Sequence, residues 1–185
     1  MKTKFLLPRR QFLCQSAAML ITGSALSYSQ QVLASESKAR SLTFNHTHTG
    51  ERLSLVYAVD NQYIPQALTQ LNHFLRDHYS GQVGAIDPQL FDLLFQLKQT
   101  LGTEQAFDVI SGYRCVQTNS TLRNTRGGGV ARHSLHMDGK AIDIRCAGAP
   151  LSDLGDAARS LRLGGVGFYK SEQFVHVDTG RIRYW

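Results

Sequence analysis

The stretch of sequence that decides the fold is Ser134-Leu135-His136-Met137-Asp138-Gly139-Lys140-Ala141-Ile142-Asp143. It runs into an apolar segment, residues 141–146, that is predicted to be a β-strand. His136 lies on the loop that enters this strand, and Asp143 lies within the strand. Gly139 permits a turn between them, which could bring both side chains toward one point. Imidazole nitrogens and carboxylate oxygens are suitable metal ligands, so this stretch predicts part of a metal site.

A third candidate ligand, His176, lies on the last predicted hairpin, residues 165–169 and 174–178. Along its second strand, Phe174, His176 and Asp178 alternate onto one face. If that strand pairs beside the strand of Asp143, it supplies the third of the three protein ligands that a catalytic zinc needs. The chain has seven histidines, so spacing alone only suggests this trio. Four histidines lack ligand spacing with carboxylates and are expected at the surface: His46, His48, His73 and His78.

The remaining pattern predicts one α+β domain. A helix begins at Pro65, and a second follows the N-cap Asp87 and ends at Gly102. A further helix is capped by Ser152 and ends at Gly164. The other predicted strands are residues 41–46, 52–59 and 107–113. We expect a small, mainly antiparallel sheet that carries the metal site, with the helices packed on it. Hydrophobic residues make up 42% of the chain, which is enough for a packed core.

The first 34 residues predict a secretory signal. The leader opens with Pro8-Arg9-Arg10-Gln11-Phe12-Leu13, continues with an apolar run over residues 17–28, and closes with Val32-Leu33-Ala34. Its paired arginines resemble the twin-arginine type, which exports folded proteins. We expect cleavage after Ala34, a mature domain over residues 35–185, and a periplasmic location. An uncleaved membrane anchor is the alternative, although the apolar run is short for a membrane span.

The charge of the chain argues against a nucleic-acid partner. The formal net charge is +6, with 20 basic and 14 acidic residues. Four of the basic residues lie in the leader, which has no acidic residue, so the rest of the chain has a balance of only +2. A basic footprint for nucleic acid is therefore missing. We expect a monomer with no stable membrane insertion after signal cleavage, and a mildly basic surface that tolerates an anionic polymer.

Two pairs of side chains allow two interpretations each. Cys115 and Cys146 are the only cysteines after the leader, and in an oxidising compartment they either form a disulfide or remain as buried thiols. No CxxC motif is present, which leaves a thiolate zinc knuckle unsupported. Tyr184 and Trp185 either line a groove or pack against the domain.

Three motifs together resemble a known family of zinc enzymes. The ten residues quoted first match the SxHxxGxAxD pattern of the D-Ala-D-Ala peptidase family, and Ser111-Gly112-Tyr113-Arg114 matches its S-x-Y-R element. Phe174-Val175-His176-Val177-Asp178 matches its third-ligand strand. The order and the separations of the motifs agree over residues 50–185. Within the family, the chain is most similar to the murein endopeptidase K branch, exported enzymes that cleave peptidoglycan crosslinks.

The resemblance implies the Hedgehog/DD-peptidase fold and a role for each matched residue. His136, Asp143 and His176 would bind Zn²⁺. Arg114 would be catalytic and stabilise the oxyanion of the tetrahedral intermediate, although a structural salt bridge would also explain an arginine there. Ser134 would orient the loop of His136.

The general base departs from the family pattern. Some members place Glu three residues before the third ligand, where this chain has Gln173, and others place His two residues before it, where this chain has Phe174. Neither side chain can take a proton from water. The nearby substitutes are Glu172, Asp178 and His133, and Asp178 could instead orient a ligand.

The resemblance implies a zinc-dependent murein endopeptidase that hydrolyses peptidoglycan crosslinks at a bond to meso-diaminopimelate, of either the L,D or the D,D type. A D-Ala-D-Ala carboxypeptidase or dipeptidase is one alternative. The missing base leaves a second alternative, a non-catalytic cell-wall-binding module that contains zinc.

Overall fold

The computed structural model of the protein describes residues 38–125 and 130–185. The predicted leader and its cleavage site lie outside these residues. In the part of the chain that is described, no helix combines the length and the apolar character that a membrane crossing requires.

The described residues form strands and helices that are spread along the whole domain. The strands are β1 (Ala39–His46), β2 (Arg52–Val59), β3 (Gln62–Tyr63), β4 (Phe107–Ser111), β5 (Ala141–Cys146), β6 (Gly165–Tyr169), β7 (Phe174–Asp178) and β8 (Arg183–Tyr184). The helices are α1 (Pro65–Phe74), α2 (Pro88–Leu101), α3 (Val116–Thr125) and α4 (Leu151–Leu161).

All of these strands belong to one mixed sheet in the order β3-β2-β1-β4-β5-β7-β6-β8. The β1–β4 and β6–β8 pairs are parallel, and the other neighbours are antiparallel. The predicted α+β class is confirmed, whereas the expected small sheet is wrong. The first hairpin joins the later strands because α1 and α2 provide the long connection that parallel pairing of β1 with β4 requires. Strand β8 then extends the other edge.

Helix α2 packs its leucine face on the sheet. Leu90, Leu94 and Leu97 have no exposed surface and share the hydrophobic core with sheet residues such as Phe44. The helix has the ends that its sequence predicts: the Asp87 carboxylate accepts a hydrogen bond of 3.0 Å from the Gln89 amide, and Gly102 adopts a positive φ of 61°. Apolar spacing and capping residues thus determine α2 locally.

One helix was not predicted, and one predicted helix boundary differs from the structure. Helix α3 follows β4, although its sequence shows no apolar stripe; Thr118 and Asn119 are its buried residues. Helix α4 begins at Leu151 after Pro150, so Ser152 lies inside its first turn and is not the N-cap. The Ser152 hydroxyl instead donates to the neighbouring Asp153 carboxylate. Pro150 takes the N-cap position without a side-chain hydrogen bond, so the helix begins two residues earlier than a cap at Ser152 would give.

Candidate metal centre

Strand pairing brings the three predicted ligands together. In the antiparallel β5–β7 pair, Asp143 is the direct register partner of His176, so both side chains project from the same face. His136 reaches them from the loop before β5. His136, Asp143 and His176 are all buried, with exposed fractions of 3%, 7% and 8%.

The nitrogen and oxygen atoms through which these side chains could bind a metal lie close together. His176 Nδ1 lies 2.8 Å from Asp143 Oδ1, His136 Nε2 lies 3.2 Å from His176 Nδ1, and His136 Nε2 lies 3.3 Å from Asp143 Oδ1. Within residues 38–125 and 130–185, this is the one set of three or more His, Cys, Asp or Glu side chains that is arranged to hold a metal ion.

A glycine turn fixes the loop that carries His136. Gly139 has a φ of +66°, and a Cβ atom there would lie 1.9 Å from the carbonyl oxygen of Ala85. The Gly139 carbonyl accepts a hydrogen bond of 2.9 Å from the amide of Asp87, the cap of α2. The loop is therefore pressed against the chain leading into α2, and only glycine fits at this point.

Hydrogen bonds to the second ring nitrogens orient both histidines. His136 Nδ1 lies 2.7 Å from the carbonyl oxygen of Gly112, which can only accept, so Nδ1 donates and Nε2 keeps its lone pair. His176 Nε2 lies 3.1 Å from Asp178 Oδ2 and is the donor to that carboxylate, which directs Nδ1 toward the site. Metal-ligating histidines usually have partners of this kind on the outer nitrogen.

The charge balance of the site favours a bound cation. Two imidazole lone pairs and a carboxylate oxygen this close repel one another unless positive charge lies among them. Burial lowers the pKa of His136. For His176, burial opposes protonation, but hydrogen bonds to Asp143 and Asp178 outweigh it and raise the pKa to about 9. In the metal-free protein that proton supplies the positive charge, and a divalent cation with nitrogen and oxygen preference, such as Zn²⁺, fits the same donor set.

Arg114 lies at the edge of this site. Its Nη2 is 3.9 Å from Asp143 Oδ2 and donates to the Ser111 hydroxyl at 3.3 Å, and its side chain is 12% exposed. The Arg114 amide donates to the His136 carbonyl at 3.1 Å, so the backbone of the S-x-Y-R element is attached to the ligand loop. The predicted catalytic arginine is thus next to the predicted metal ligands.

The three ligands lie in a cleft with a volume of about 250 Å³. Besides the ligands and Arg114, the residues lining it are Val130, Ala131, His133, Ser134, Leu135, Tyr169, Glu172, Phe174, Arg183 and Trp185. His133 and Glu172, two of the three candidate bases, are therefore in the cleft. The third, Asp178, has no exposed surface and bonds to His176 from behind, which rules it out as a base and agrees with the orienting role.

Sequence reasoning did not assign Arg183 to the site, and it left Trp185 open between lining a groove and packing. The Trp185 ring centroid is 5.3 Å from that of His176, and its Nε1 donates to the Tyr169 hydroxyl at 2.9 Å. The groove interpretation of Trp185 is therefore confirmed. Strand β8 is only two residues long, so no periodic signal predicts where its side chains point.

The structure also contradicts one of the two interpretations of the cysteines and the prediction made for one other histidine. Cys115 and Cys146 are both buried free thiols, so the disulfide interpretation is wrong. His46 is 2% exposed, which contradicts its expected surface position. Its Nδ1 accepts a hydrogen bond of 3.2 Å from the His48 amide, so the ring serves the turn between β1 and β2.

Comparisons with known proteins find relatives that match most of the chain. A family profile described as peptidoglycan L,D-endopeptidase MepK matches residues 34–185. Peptidoglycan L,D-endopeptidase MepK of Escherichia coli K12 is 45% identical over 148 residues, which cover 80% of this chain and 81% of that protein. Probable peptidoglycan L,D-endopeptidase MepK of Haemophilus influenzae is 42% identical over 163 residues, 88% of this chain and 87% of that protein.

A solved structure, the L-Ala D-Glu endopeptidase ChiX of Serratia marcescens, is 15% identical with a TM-score of 0.35, and the match covers 52% of this chain and 68% of that one. This likeness is too low to support an argument about fold or activity. The profile match and the two relatives are decisive by themselves, because each spans most of the chain. The chain belongs to the peptidoglycan L,D-endopeptidase MepK family of peptidases.

Proposed function

We propose that this protein is a zinc-dependent endopeptidase that hydrolyses L,D peptide crosslinks of peptidoglycan. The observation that carries the proposal is the convergence of His136, Asp143 and His176 within 2.8–3.3 Å, in a cleft beside a half-buried arginine, Arg114. The names of the relatives favour the L,D bond over the D,D bond that the sequence also allowed.

His136, Asp143 and His176 would hold Zn²⁺ in this proposal, and the cleft would leave a position open for water and substrate. Zn²⁺ supplies a Lewis acid that polarises a carbonyl and makes water a competent nucleophile near neutral pH. The site residues supply the rest: the hydrogen bonds to Gly112 and Asp178 keep both imidazoles in the tautomer that presents a lone pair.

Arg114 would stabilise the negative charge that develops on the substrate carbonyl oxygen. Its guanidinium is held by Ser111 and faces the ligand carboxylate of Asp143, so it is in place before substrate arrives. A group that is charged at every relevant pH and already positioned stabilises an oxyanion without reorganisation.

Glu172 or His133 would accept the proton from the attacking water. Both line the cleft and both are exposed, so substrate can reach them. Gln173 and Phe174, which occupy the positions of the family base, cannot accept a proton. Tyr169, Phe174 and Trp185 form an aromatic wall of the cleft, in which the rings of Tyr169 and Phe174 stack with centroids 4.5 Å apart. Because aromatic rings offer a large apolar surface, this wall would contact the aliphatic parts of the stem peptide.

The substrate requires a location outside the cytoplasm. The leader, with paired Arg9 and Arg10 ahead of an apolar run, supports export by the twin-arginine route into the periplasm. We propose that the mature enzyme starts at about residue 35 and acts there on the cell wall without a membrane anchor.

Digestion of defined muropeptide dimers tests the proposal. Purified L,D-crosslinked and D,D-crosslinked dimers are incubated with the zinc-loaded protein and analysed by chromatography and mass spectrometry. We expect conversion of the L,D dimer to monomers, abolished by a chelator and by His136→Ala, and retained by His73→Ala, which removes an exposed histidine outside the cleft.

Other products would contradict the proposal in distinct ways. Release of terminal D-Ala from stem peptides would identify a carboxypeptidase. No turnover of any muropeptide by folded, zinc-replete protein would identify a non-catalytic wall-binding module.

A further inference from the structure

Asp178 and Arg183 form an ion pair directly behind His176. Arg183 Nη2 lies 2.8 Å from Asp178 Oδ2, and Arg183 Nη1 lies 3.1 Å from Asp178 Oδ1. The Asp178 side chain has no exposed surface, and the Arg183 side chain is 32% exposed. The two form the bidentate geometry in which a guanidinium binds a carboxylate most specifically.

Both carboxylate oxygens of Asp178 accept further hydrogen bonds besides those from Arg183. Oδ1 also accepts hydrogen bonds from the amides of Gly165, at 3.1 Å, and Gly180, at 2.8 Å. Oδ2 also accepts from His176 Nε2 at 3.1 Å. A buried carboxylate with this many donors cannot turn without losing several hydrogen bonds, so it is a rigid acceptor for the imidazole.

The surrounding backbone leaves room for this pair. A Cβ atom on Gly165 would lie 2.5 Å from both Arg183 Nη1 and Asp178 Oδ2. A Cβ atom on Gly164 would lie 1.7 Å from the Asp178 carbonyl oxygen. The turn into β6 therefore lacks side chains at the point where the guanidinium meets the carboxylate.

Arg183 also supports the wall of the cleft. Its guanidinium lies over the Trp185 ring, 4.9 Å from the centroid, and the same ring lies 5.3 Å from that of His176. Backbone hydrogen bonds fix Trp185 to β6: its amide donates to Val166, and its carbonyl accepts from Phe168. One arginine thus contacts two neighbours of the His176 imidazole, Asp178 and Trp185.

We propose that Arg183 is a positioning residue for the metal centre. It holds Asp178 in the orientation that fixes His176 Nε2 as the donor, and so determines that Nδ1 faces Asp143 and His136. This inference rests on the proposed function, because it takes His176 to be a metal ligand. Only a planar fork can serve both oxygens of Asp178 while lying over an indole, so lysine cannot replace it.

The test compares Arg183→Lys with Arg159→Lys in the full-length protein. Arg159 is a matched control, because it also forms an ion pair, with Asp156, and also lies over an aromatic ring, that of Phe168. Zn²⁺ affinity is measured by competition with a chromophoric chelator, the ligand geometry by the absorption spectrum of the Co²⁺-substituted protein, and the fold by thermal unfolding of the metal-free protein.

We expect Arg183→Lys to weaken Zn²⁺ binding by about 10–100-fold, the usual effect of losing an outer partner of a ligand, and to change the Co²⁺ spectrum. Arg159→Lys should retain the wild-type affinity and spectrum. If Arg183→Lys does not fold, Asp178→Asn, which preserves shape and removes the charge, is expected to show the same two changes.

Wild-type affinity and spectrum in a folded Arg183→Lys or Asp178→Asn protein would overturn the inference and leave the proposed function intact. Failure of the wild-type protein to bind Zn²⁺ would overturn both, and the chelator titration of the wild type alone distinguishes these outcomes.

Discussion

Arg114 combines a permanent charge with a fixed position beside the proposed metal ligands. Replacing it by lysine keeps the charge but loses the planar group that contacts Ser111 and faces Asp143. We expect Arg114→Lys to lower kcat on the L,D dimer by about 10²–10³-fold, the usual cost of removing an oxyanion donor, without change in zinc content. Steady-state kinetics and metal analysis check this. Activity close to that of the wild type would instead assign Arg114 to a structural salt bridge.

Glu172 and His133 compete for one role at the mouth of the cleft, and separate Gln substitutions distinguish them. The substitution that removes the proton acceptor should lower kcat by about 10²–10⁴-fold, while the other leaves kcat near wild type, because general-base catalysis depends on one positioned group. The pH profile of kcat/KM gives a second readout, since its acidic limb should disappear only with the true base. If both variants keep the wild-type rate, neither Glu172 nor His133 is the group that accepts the proton.

Sequence reasoning succeeds for residues whose chemistry is carried by local motifs. His136 and Asp143 share one ten-residue motif, and His176 lies in an alternating strand, so the structure brings together the residues that the sequence selects. Arg183 and His46 were not predicted correctly because their environments depend on distant segments. His46 is buried by packing against Phe74 of α1, with ring centroids 5.8 Å apart, which no pattern around residue 46 indicates.

Among the connections between secondary-structure elements, the turn into β5 is tightly constrained. Gly139 and Gly102 both have positive φ, but a Cβ atom at Gly139 would collide with the Ala85 carbonyl, whereas Gly102 has open space within 4 Å. We expect Gly139→Ala to lower the free energy of unfolding by about 3 kcal/mol or more, and Gly102→Ala by about 1 kcal/mol, because the second carries only the conformational cost. Urea unfolding of the metal-free proteins measures both. Equal losses would show that the Ala85 contact relaxes freely.

The elements also show where local signals are sufficient. Helix α2 was predicted with its cap and its stop because proline, aspartate and glycine act within one turn. Helix α3 was missed because its buried residues are polar, so its sequence has no apolar stripe. Asn119 is held instead by a hydrogen bond of 3.1 Å that its side chain donates to the Ala131 carbonyl. The size of the sheet was missed for a similar reason, since parallel pairing of Phe44 with Phe107 joins segments that lie far apart in the chain.

For the molecule as a whole, stability should fall with acidification because of the histidines near the first hairpin. Burial lowers the pKa of His78 to about 4, assisted by the charges of His48 and His46. The folded protein therefore keeps His78 neutral where the unfolded chain, with a pKa of about 6.5, already binds a proton. The stabilising contribution is complete above about pH 6.5 and is lost as the pH falls toward 4.

His78→Phe provides the measurement, because phenylalanine keeps a ring against His48 but does not titrate. The difference in unfolding free energy between pH 7 and pH 4.5 should be smaller in this variant than in wild type, when both are metal-free. His73→Phe, a change at an exposed position, should leave the wild-type difference unaltered. An unchanged slope in His78→Phe would show that other groups cause the acid sensitivity.

The pairing of β5 with β7 has a consequence for how the protein is made. His136 and Asp143 are synthesised well before His176, and the arginine that orients His176 comes later still. A growing chain on the ribosome therefore contains two of the three ligands without a site, and it first becomes able to sequester a metal ion when nearly all of its residues have been translated. For the proposed zinc enzyme, metal acquisition is consequently an event of the finished polypeptide, and the compartment in which folding is completed determines which metal ions compete for the site.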